Sequence, residues 1–342
     1  MLTVGIYGMF EISQIKISEL QRYLDMSKPG ISKYFKNIQG ATTVLNNRII
    51  GLSSNFVASF LKHHTAYKFF GASVTLFANL CGGCGKTTSI SSLAAAIRRI
   101  TSIETDPIVL IDGDSQASLT HLICGKRAEE KEPILIDYLD RKASLEDILT
   151  PLGNNIYLIK SNLDSAFLDK TLSRPSDIKI AMKNFYMDIF SKYGMKTKIF
   201  QDHTPQLSNL FASSICALYQ LPDEVLCNVL IPIRSDDFAI QGGKYIIEEI
   251  KGLSETYSFN EKRLNIHCFF SALDRRISSS GEALKKAMLD ETLQEYMSPI
   301  AIRYCSEVPK SIMNGENIFS SGKRNNAADD YQDLIQYIFN QE

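Results

Sequence analysis

The sequence predicts an α/β chain: a doubly wound, mostly parallel sheet over residues 73–342, preceded by a small helical, winged domain over residues 1–72. Three observations point there. After Ser73, apolar runs rich in β-formers alternate with helical patterns, the signature of strands connected through helices. Before Phe70 the chain is mixed and basic, with two short helical patterns and a hairpin pattern. Between the two halves, the first apolar run leads through a glycine-rich turn directly into a helix.

The bulk numbers bound the classes. A chain of 342 residues exceeds what one compact core holds, and 44% hydrophobic with 22% charged residues excludes disorder. The net charge of −1 says nothing about nucleic acid, but residues 1–72 carry eight Lys/Arg (the last is Lys68) against three acidic residues, a local excess that suits a nucleic-acid-facing module. Seven cysteines, an odd number scattered through apolar runs, read as reduced thiols. The first residues lack a basic n-region and a long apolar core, and no apolar run reaches 18 residues, so a cytoplasmic protein without a membrane span is expected.

In the first segment, Lys16–Asp25 places Ile17, Leu20 and Leu24 on one helical face. Met26–Gly30 breaks that helix; Ser27 suits an N-cap and Pro29 the first turn of the next. In that second helix Ile31, Tyr34, Phe35 and Ile38 face inward, while Ser32, Lys33 and Lys36 face out and are the candidate DNA contacts. Two short helices joined by a tight turn form a helix-turn-helix pattern, and a hairpin turning at Asn46-Asn47 would be its wing. One more helix, capped by Ser53 or Ser54, follows. The same segment also suits a small packing or dimerising domain that touches no DNA.

From Ser73 the expected strands are Ser73–Leu80, Pro107–Asp112, Lys196–Asp202, Glu224–Ile233, Leu264–Leu273 and Ile300–Val308. Helices are expected over residues 86–100, 178–193, 242–254 and 281–296. A parallel sheet puts its chemistry in the loops at the C-terminal ends of the strands.

The most specific motif lies at the first of those ends. In Leu80–Ser89, Gly82, Gly83 and Gly85, with Cys84 between them, let the backbone wrap inward, and its amides with the following helix N-terminus form a nest for phosphate oxygens. Lys86 would reach the β- and γ-phosphates and Thr87 would ligate Mg²⁺, with Thr88 completing the turn. This predicts a P-loop NTPase that uses ATP and Mg²⁺. The next strand ends in Asp112-Gly113-Asp114. Asp114 is the candidate that orients or activates the attacking water, and Asp112 the one that holds Mg²⁺-bound water or the loop. Asp202 closes a later strand and suits the metal-side carboxylate. His203 beside it reads either as a base or as a bystander.

A strict P-loop needs glycine where Leu80 stands; without it, Gly82–Thr88 resembles the deviant Walker motif of the ParA/MinD group, and residues 73–342 resemble ParA-family partition ATPases. The further likeness runs through Asp112-x-Asp114-x-Gln116, through Asp202-His203-Thr204-Pro205, and through Pro232, Asp236 and Gly242. Ser306–Ser311 is similar to the loop that closes over adenine, so Pro232 and Pro309 are expected against the nucleotide. The N-terminal segment resembles the extra domain of the longer plasmid-partition subgroup. The resemblance implies a homodimer formed on ATP, binding to non-specific DNA and to an operator, a ParB-like centromere-binding partner, and a nucleoid-associated location. It implies DNA-facing basic residues among Arg275, Arg276, Lys285, Lys286, Arg303, Lys323 and Arg324.

One position departs from that pattern. The family's signature lysine, which reaches the partner's nucleotide, is Cys81 here. Either that reach across the dimer is absent, or another basic residue replaces it in space, or Cys81 and Cys84 form a redox or metal pair. A MinD-like membrane positioner would end in a basic amphipathic helix, and this chain ends acidic. A cluster carrier needs a set of cysteines that is not evident. A transcriptional repressor with an ATP-binding but hydrolysis-deficient P-loop remains the alternative to a partition ATPase.

Overall fold

Buried strands with apolar residues on both faces need helices on both faces, and the chain supplies them. The computed structural model describes residues 9–10, 14–46, 48–65, 67, 70–320 and 325–339. Asn47, Lys68, Lys323 and Arg324 lie outside the described residues.

The main sheet contains β3 (Ser73–Phe77), β4 (Ile108–Gly113), β5 (Leu149–Gly153), β6 (Ile156–Ile159), β7 (Lys198–His203), β8 (Leu226–Ile233) and β9 (Asn265–Phe270). Its order is β5-β6-β4-β7-β3-β8-β9, parallel throughout except where β5 pairs antiparallel with β6. Strand alternation sorts the side chains. Val74, Leu76, Val109, Ile111, Ile199, Val229 and Ile231 enter one apolar cluster; Phe77, Ile108, Leu110, Phe200 and Leu230 enter the other. The first cluster is closed by α9 (Pro175–Tyr193), α10 (Asn209–Gln220) and α11 (Asp237–Tyr257). The second is closed by α4 (Lys86–Ile100) and α14 (Asn326–Phe339).

The N-terminal segment contains α1 (Ile17–Leu20), α2 (Lys28–Lys36), α3 (Ser54–His64) and a hairpin of β1 (Thr42–Leu45) and β2 (Arg48–Leu52). Ser27 Oγ accepts from the Gly30 amide at 3.3 Å, the expected cap, and Asn46 takes the left-handed conformation at the hairpin turn. Ile31 and Phe35 are buried as the periodicity implies, but Tyr34 is 42% exposed, lying across Phe60. The first helix is shorter than the pattern suggested: after Leu20 it tightens into a single 3₁₀ turn, and Leu24 is extended. Ile31, Phe35, Phe60 and Leu61 belong to the same apolar cluster as Ile97, Leu334 and Ile338, so this segment shares the core of α4 and α14. Arg22 bridges to Asp329 and Asp333 on α14 at 3.1 and 2.6 Å, and Arg99 on α4 bridges to Glu19 at 2.6 Å.

Four sequence expectations change. The hairpin β5–β6 replaces what read as a connection, with Gly153, Asn154 and Asn155 all left-handed at its turn. No strand forms over 300–308; only Arg303 pairs with Leu273, because the chain turns at once into α13 (Glu307–Met313). The helix expected from Gly242 starts at Asp237, since the Asp236 carboxylate caps it by accepting from the Ala239 amide at 2.9 Å. The helix expected over 281–296 is α12 (Ser278–Leu289), which ends at Asp290 before a separate 3₁₀ turn over Gln294–Tyr296.

The two rims of the sheet differ from regular open edges. On one rim β5 carries Pro151 and an irregularity between Pro151 and Gly153. On the other, β9 is flanked by a bridge from Cys268 to Met297, and the Ile302 amide donates to the Phe270 carbonyl at 2.7 Å. Among the described residues no helix is long and apolar enough to cross a membrane.

Candidate functional site

The site gathers at the C-terminal ends of β3, β4, β7, β8 and β9. The loop from Ala78 to Gly85 joins β3 to α4, with Gly83 and Gly85 at φ +69° and +93°, conformations that other residues adopt only under strain. Asn79 anchors this loop from beneath. Its side-chain amide donates to the carbonyls of Pro232 and Ala239 at 2.9 and 3.1 Å, and its Oδ1 accepts from the Cys81 amide at 2.8 Å. Ser271, after β9, holds the other flank by donating to the Cys84 carbonyl at 2.5 Å. Lys86 is buried at the start of α4, and its ammonium donates to the carbonyls of Asn79 and Cys81 at 3.2 and 3.4 Å. A cation held only by neutral carbonyls is poised to exchange them for an anion.

Register brings the carboxylates together. β4 and β7 pair with Asp112 opposite Asp202, and β7 lies beside β3. The Thr87 hydroxyl donates to Asp202 Oδ2 at 2.6 Å, while Asp202 Oδ1 is buried without a hydrogen-bond partner. Burial, then the nearby Asp112, pushes the Asp202 carboxyl up to about 7. Asp112 is also pushed up, to about 6, chiefly by burial. Its oxygens are engaged: Oδ2 accepts from the Thr120 amide and hydroxyl at 2.7 and 2.6 Å, and Oδ1 from the Asp114 amide at 3.2 Å. These hydrogen bonds tie the end of β4 to the start of α5 (Ser118–Cys124). Asp114 sits just beyond the strand end, 8% exposed, with Oδ1 accepting from the Gln116 amide at 2.9 Å.

An orphaned carboxylate oxygen beside a serviceable hydroxyl is a fit for a magnesium ion. Mg²⁺ takes few protein ligands and draws the rest from water and phosphate. No group of three or more His, Cys, Asp or Glu able to hold a metal ion occurs among the described residues.

The remaining expected residues separate. Gly82, Gly83, Cys84, Gly85, Thr87 and Thr88 lie on the loop and first turn. Gly83, Gly85, Thr88 and Pro309 line a cavity of about 540 Å³ with Arg234, Ser271, Asp274, Tyr304 and Tyr331. Pro309 reaches it from the first turn of α13, not from a loop. Pro232 lies inside β8 and is not among the residues lining the cavity; what it supplies is the carbonyl that anchors Asn79. Gly242 packs α11 onto the loop, since a Cβ there would stand 2.4 Å from Asn79 Oδ1. His203 is fully buried with neither ring nitrogen bonded, and burial lowers its pKa to about 3, so it stays neutral against Phe211. Cys84 is buried, which pushes its thiol up, and the Cys81 thiol donates to the Gly82 carbonyl at 3.3 Å.

Of the basic residues named from the resemblance, Arg276 pairs with Asp274, Lys286 with Asp237 and Arg303 with Asp330, leaving Arg275 and Lys285 exposed. In the N-terminal segment, Ser32 and Lys36 line a groove of about 560 Å³ with Lys16, Lys28 and Arg48, and none of its described lining residues is acidic. Lys33 is exposed outside that groove. Sequence reasoning missed Asn79, Arg234 and Ser271. Asn79 directly precedes the glycine-rich stretch, which is its one local signal.

Comparison with known proteins follows this geometry. Residues 72–266 match the AAA_31 family model, described as an AAA domain. Among solved structures, a variant of Cyanothece McdA in complex with ATP superposes at a TM-score of 0.65 with 16% identity, over 79% of this chain and 97% of that one. A plasmid partition protein from Borrelia burgdorferi bound to AMPPNP superposes at 0.58 with 16% identity, over 78% and 98%. Cobyrinic acid a,c-diamide synthase from Mycobacterium smegmatis, with ADP and magnesium, superposes at 0.58 with 18% identity, over 78% and 93%. Compared by sequence with curated proteins, the chain matches none. At these identities the solved structures establish the fold, and the family match, spanning more than half of the chain, places it by descent: the chain belongs to the AAA_31 family of AAA-domain proteins.

Proposed function

We propose that the chain is an ATP-dependent partition ATPase, a nucleotide-switched dimer that binds DNA and a centromere-binding partner protein. The observation that carries this reading is the convergence of Lys86, Thr87 and the half-satisfied Asp202 on one glycine-rich loop. The fold shared with McdA and with a plasmid partition protein supports it.

In this reading the amides of residues 82–87 and the N-terminus of α4 bind the triphosphate tail. The Lys86 ammonium leaves the carbonyls of Asn79 and Cys81 for phosphate oxygens. Thr87 Oγ1 and Asp202 would hold magnesium, which supplies charge neutralisation at the bridging and terminal phosphates. A cation held there would favour the ionised form of Asp202 against the burial that raises its pKa. Asp114, tethered through Oδ1, keeps its other oxygen for the attacking water. The cavity lined by Tyr304, Pro309 and Tyr331 takes the base.

Binding of a specific operator falls to the N-terminal groove of Lys16, Lys28, Ser32, Lys36 and Arg48, which would let the protein repress its own operon. Non-specific DNA falls to Arg275 and Lys285. The uncharged Cys81 favours a second reading, a DNA-binding repressor that holds ATP without turning it over. The rate of ATP hydrolysis with and without DNA decides between them. DNA-stimulated turnover supports the partition ATPase; ATP uptake with no turnover, with or without DNA and partner, supports the repressor.

A further inference from the structure

We infer that Arg234 grips the phosphate tail from within the same chain, supplying the positive charge that position 81 lacks. The inference rests on the phosphate reading above and adds to it a residue that no motif marks.

Arg234 is the first residue after β8, and β8 pairs directly with β3, so its end emerges beside the glycine-rich loop. The guanidinium lies over the loop tip: Arg234 Nη1 is 3.5 Å from where a Cβ on Gly83 would stand. It faces the same cavity as Gly83, Gly85 and Thr88. At position 81 there is no cation; the Cys81 amide is held by Asn79 and its thiol by the Gly82 carbonyl.

Among the described residues, the other arginine lining that cavity is committed elsewhere. Arg303 makes a forked pair with Asp330, at 3.0 Å through Nε and 2.6 Å through Nη2. Arg276 does the same with Asp274, at 2.9 and 2.6 Å. Among the described residues, the ion pair of Arg234 is a loose one with Asp236, Nε to Oδ2 at 3.5 Å, with both side chains exposed. Asp236 is itself engaged through Oδ1 as the cap of α11. An exposed pair of that kind contributes little, so the guanidinium can leave it for a phosphate at small cost. Its planar fork of donors matches phosphate oxygens two at a time, which a neutral thiol cannot do. Because Arg234 overhangs its own loop, this grip needs no second subunit.

The test is ATP affinity of the full-length chain, measured by calorimetry with magnesium, for Arg234→Ala, Arg234→Gln and Arg234→Lys beside wild type and Lys86→Ala. The expected result is about tenfold weaker ATP binding in the Ala and Gln variants, the effect of removing one charge-assisted hydrogen bond. The Lys variant, which keeps the charge but loses the fork, should fall between wild type and the Ala variant, and all melting temperatures should be unchanged. Wild-type affinity in the Ala and Gln variants overturns the inference and leaves the phosphate site standing, provided Lys86→Ala abolishes binding. Wild-type affinity in the Gln variant alone also overturns it, since size and not charge would then matter. If wild type itself takes up no ATP, the phosphate reading falls and this inference with it.

Discussion

At the scale of single residues, the site separates carboxylates that share a sheet but not a task. Asp112 has both oxygens engaged, Asp202 has one buried and unbonded, and Asp114 has one tethered at the strand end. Asp114→Ala is therefore expected to retain ATP binding while turnover falls by about two orders of magnitude, as removal of a group that positions the nucleophile does. Single-turnover kinetics beside equilibrium binding checks it, and undiminished hydrolysis removes Asp114 from the role. A residue outside the site adds its own pH dependence to stability. His267 on β9 is 3% exposed with Nε2 unpartnered against Tyr337, and burial lowers its pKa to about 4. The unfolded chain protonates this group near pH 6.5 and the folded chain only near 4. Its contribution is therefore complete above about 6.5 and disappears as pH falls through that window, costing about 3 kcal/mol at the low end. Denaturant titrations from pH 7 to 4 should show wild type losing stability relative to His267→Leu by that amount, since Asp112, Asp202 and His203 titrate alike in both; parallel profiles would exclude His267 as a source.

At the scale of elements, the parts that were legible in the sequence are those whose meaning is local. The glycine-rich loop, the Asp112-x-Asp114 turn and Asp202 each sit where a buried run stops, and strand ends are readable from composition. The hairpin of β5 and β6 was not read, because strands of five and four residues with a proline in the first fall below the pattern, although Gly153-Asn154-Asn155 was a turn signal. Asn79, Ser271 and Arg234 were invisible for another reason: their partners lie more than 140 residues away in sequence. Gly242 shows the same limit. It was expected to open a helix, and instead it is the point in α11 where the helix touches the phosphate loop. Gly242→Ala should favour the helix intrinsically, by about 1 kcal/mol, yet its methyl group would displace the Asn79 oxygen that holds the Cys81 amide. The expected outcome is unchanged helical circular dichroism with ATP binding weakened at least about tenfold. Full ATP affinity in that variant would show that Asn79 does not preorganise the loop.

At the scale of the whole molecule, a change in composition near residue 72 suggested two units, and composition says nothing about which faces meet. In the structure the aromatic pair Phe35 and Phe60, 5.0 Å apart, lies in the cluster that α4 and α14 close. A continuous core implies one cooperative transition. Phe60→Ala should cost about 3–5 kcal/mol and lower the melting point of the entire chain, and saturating ATP should raise it for the entire chain, by mass action on a single folded state. Scanning calorimetry checks both; two resolved transitions, only one of them sensitive to nucleotide, would contradict it.

Neither rim of the main sheet offers a newcomer a regular run of backbone donors and acceptors. Pro151 takes a donor out of one border strand and the kink beside it bends what is left, while the chain around Met297 and Ile302 occupies the far border. Ribbon-like growth, copy after copy zipped along exposed backbone, is thereby denied to this molecule. Copies that meet must do so through side chains on a face or at the tips of the strands, where contacts can be made and broken without undoing the sheet.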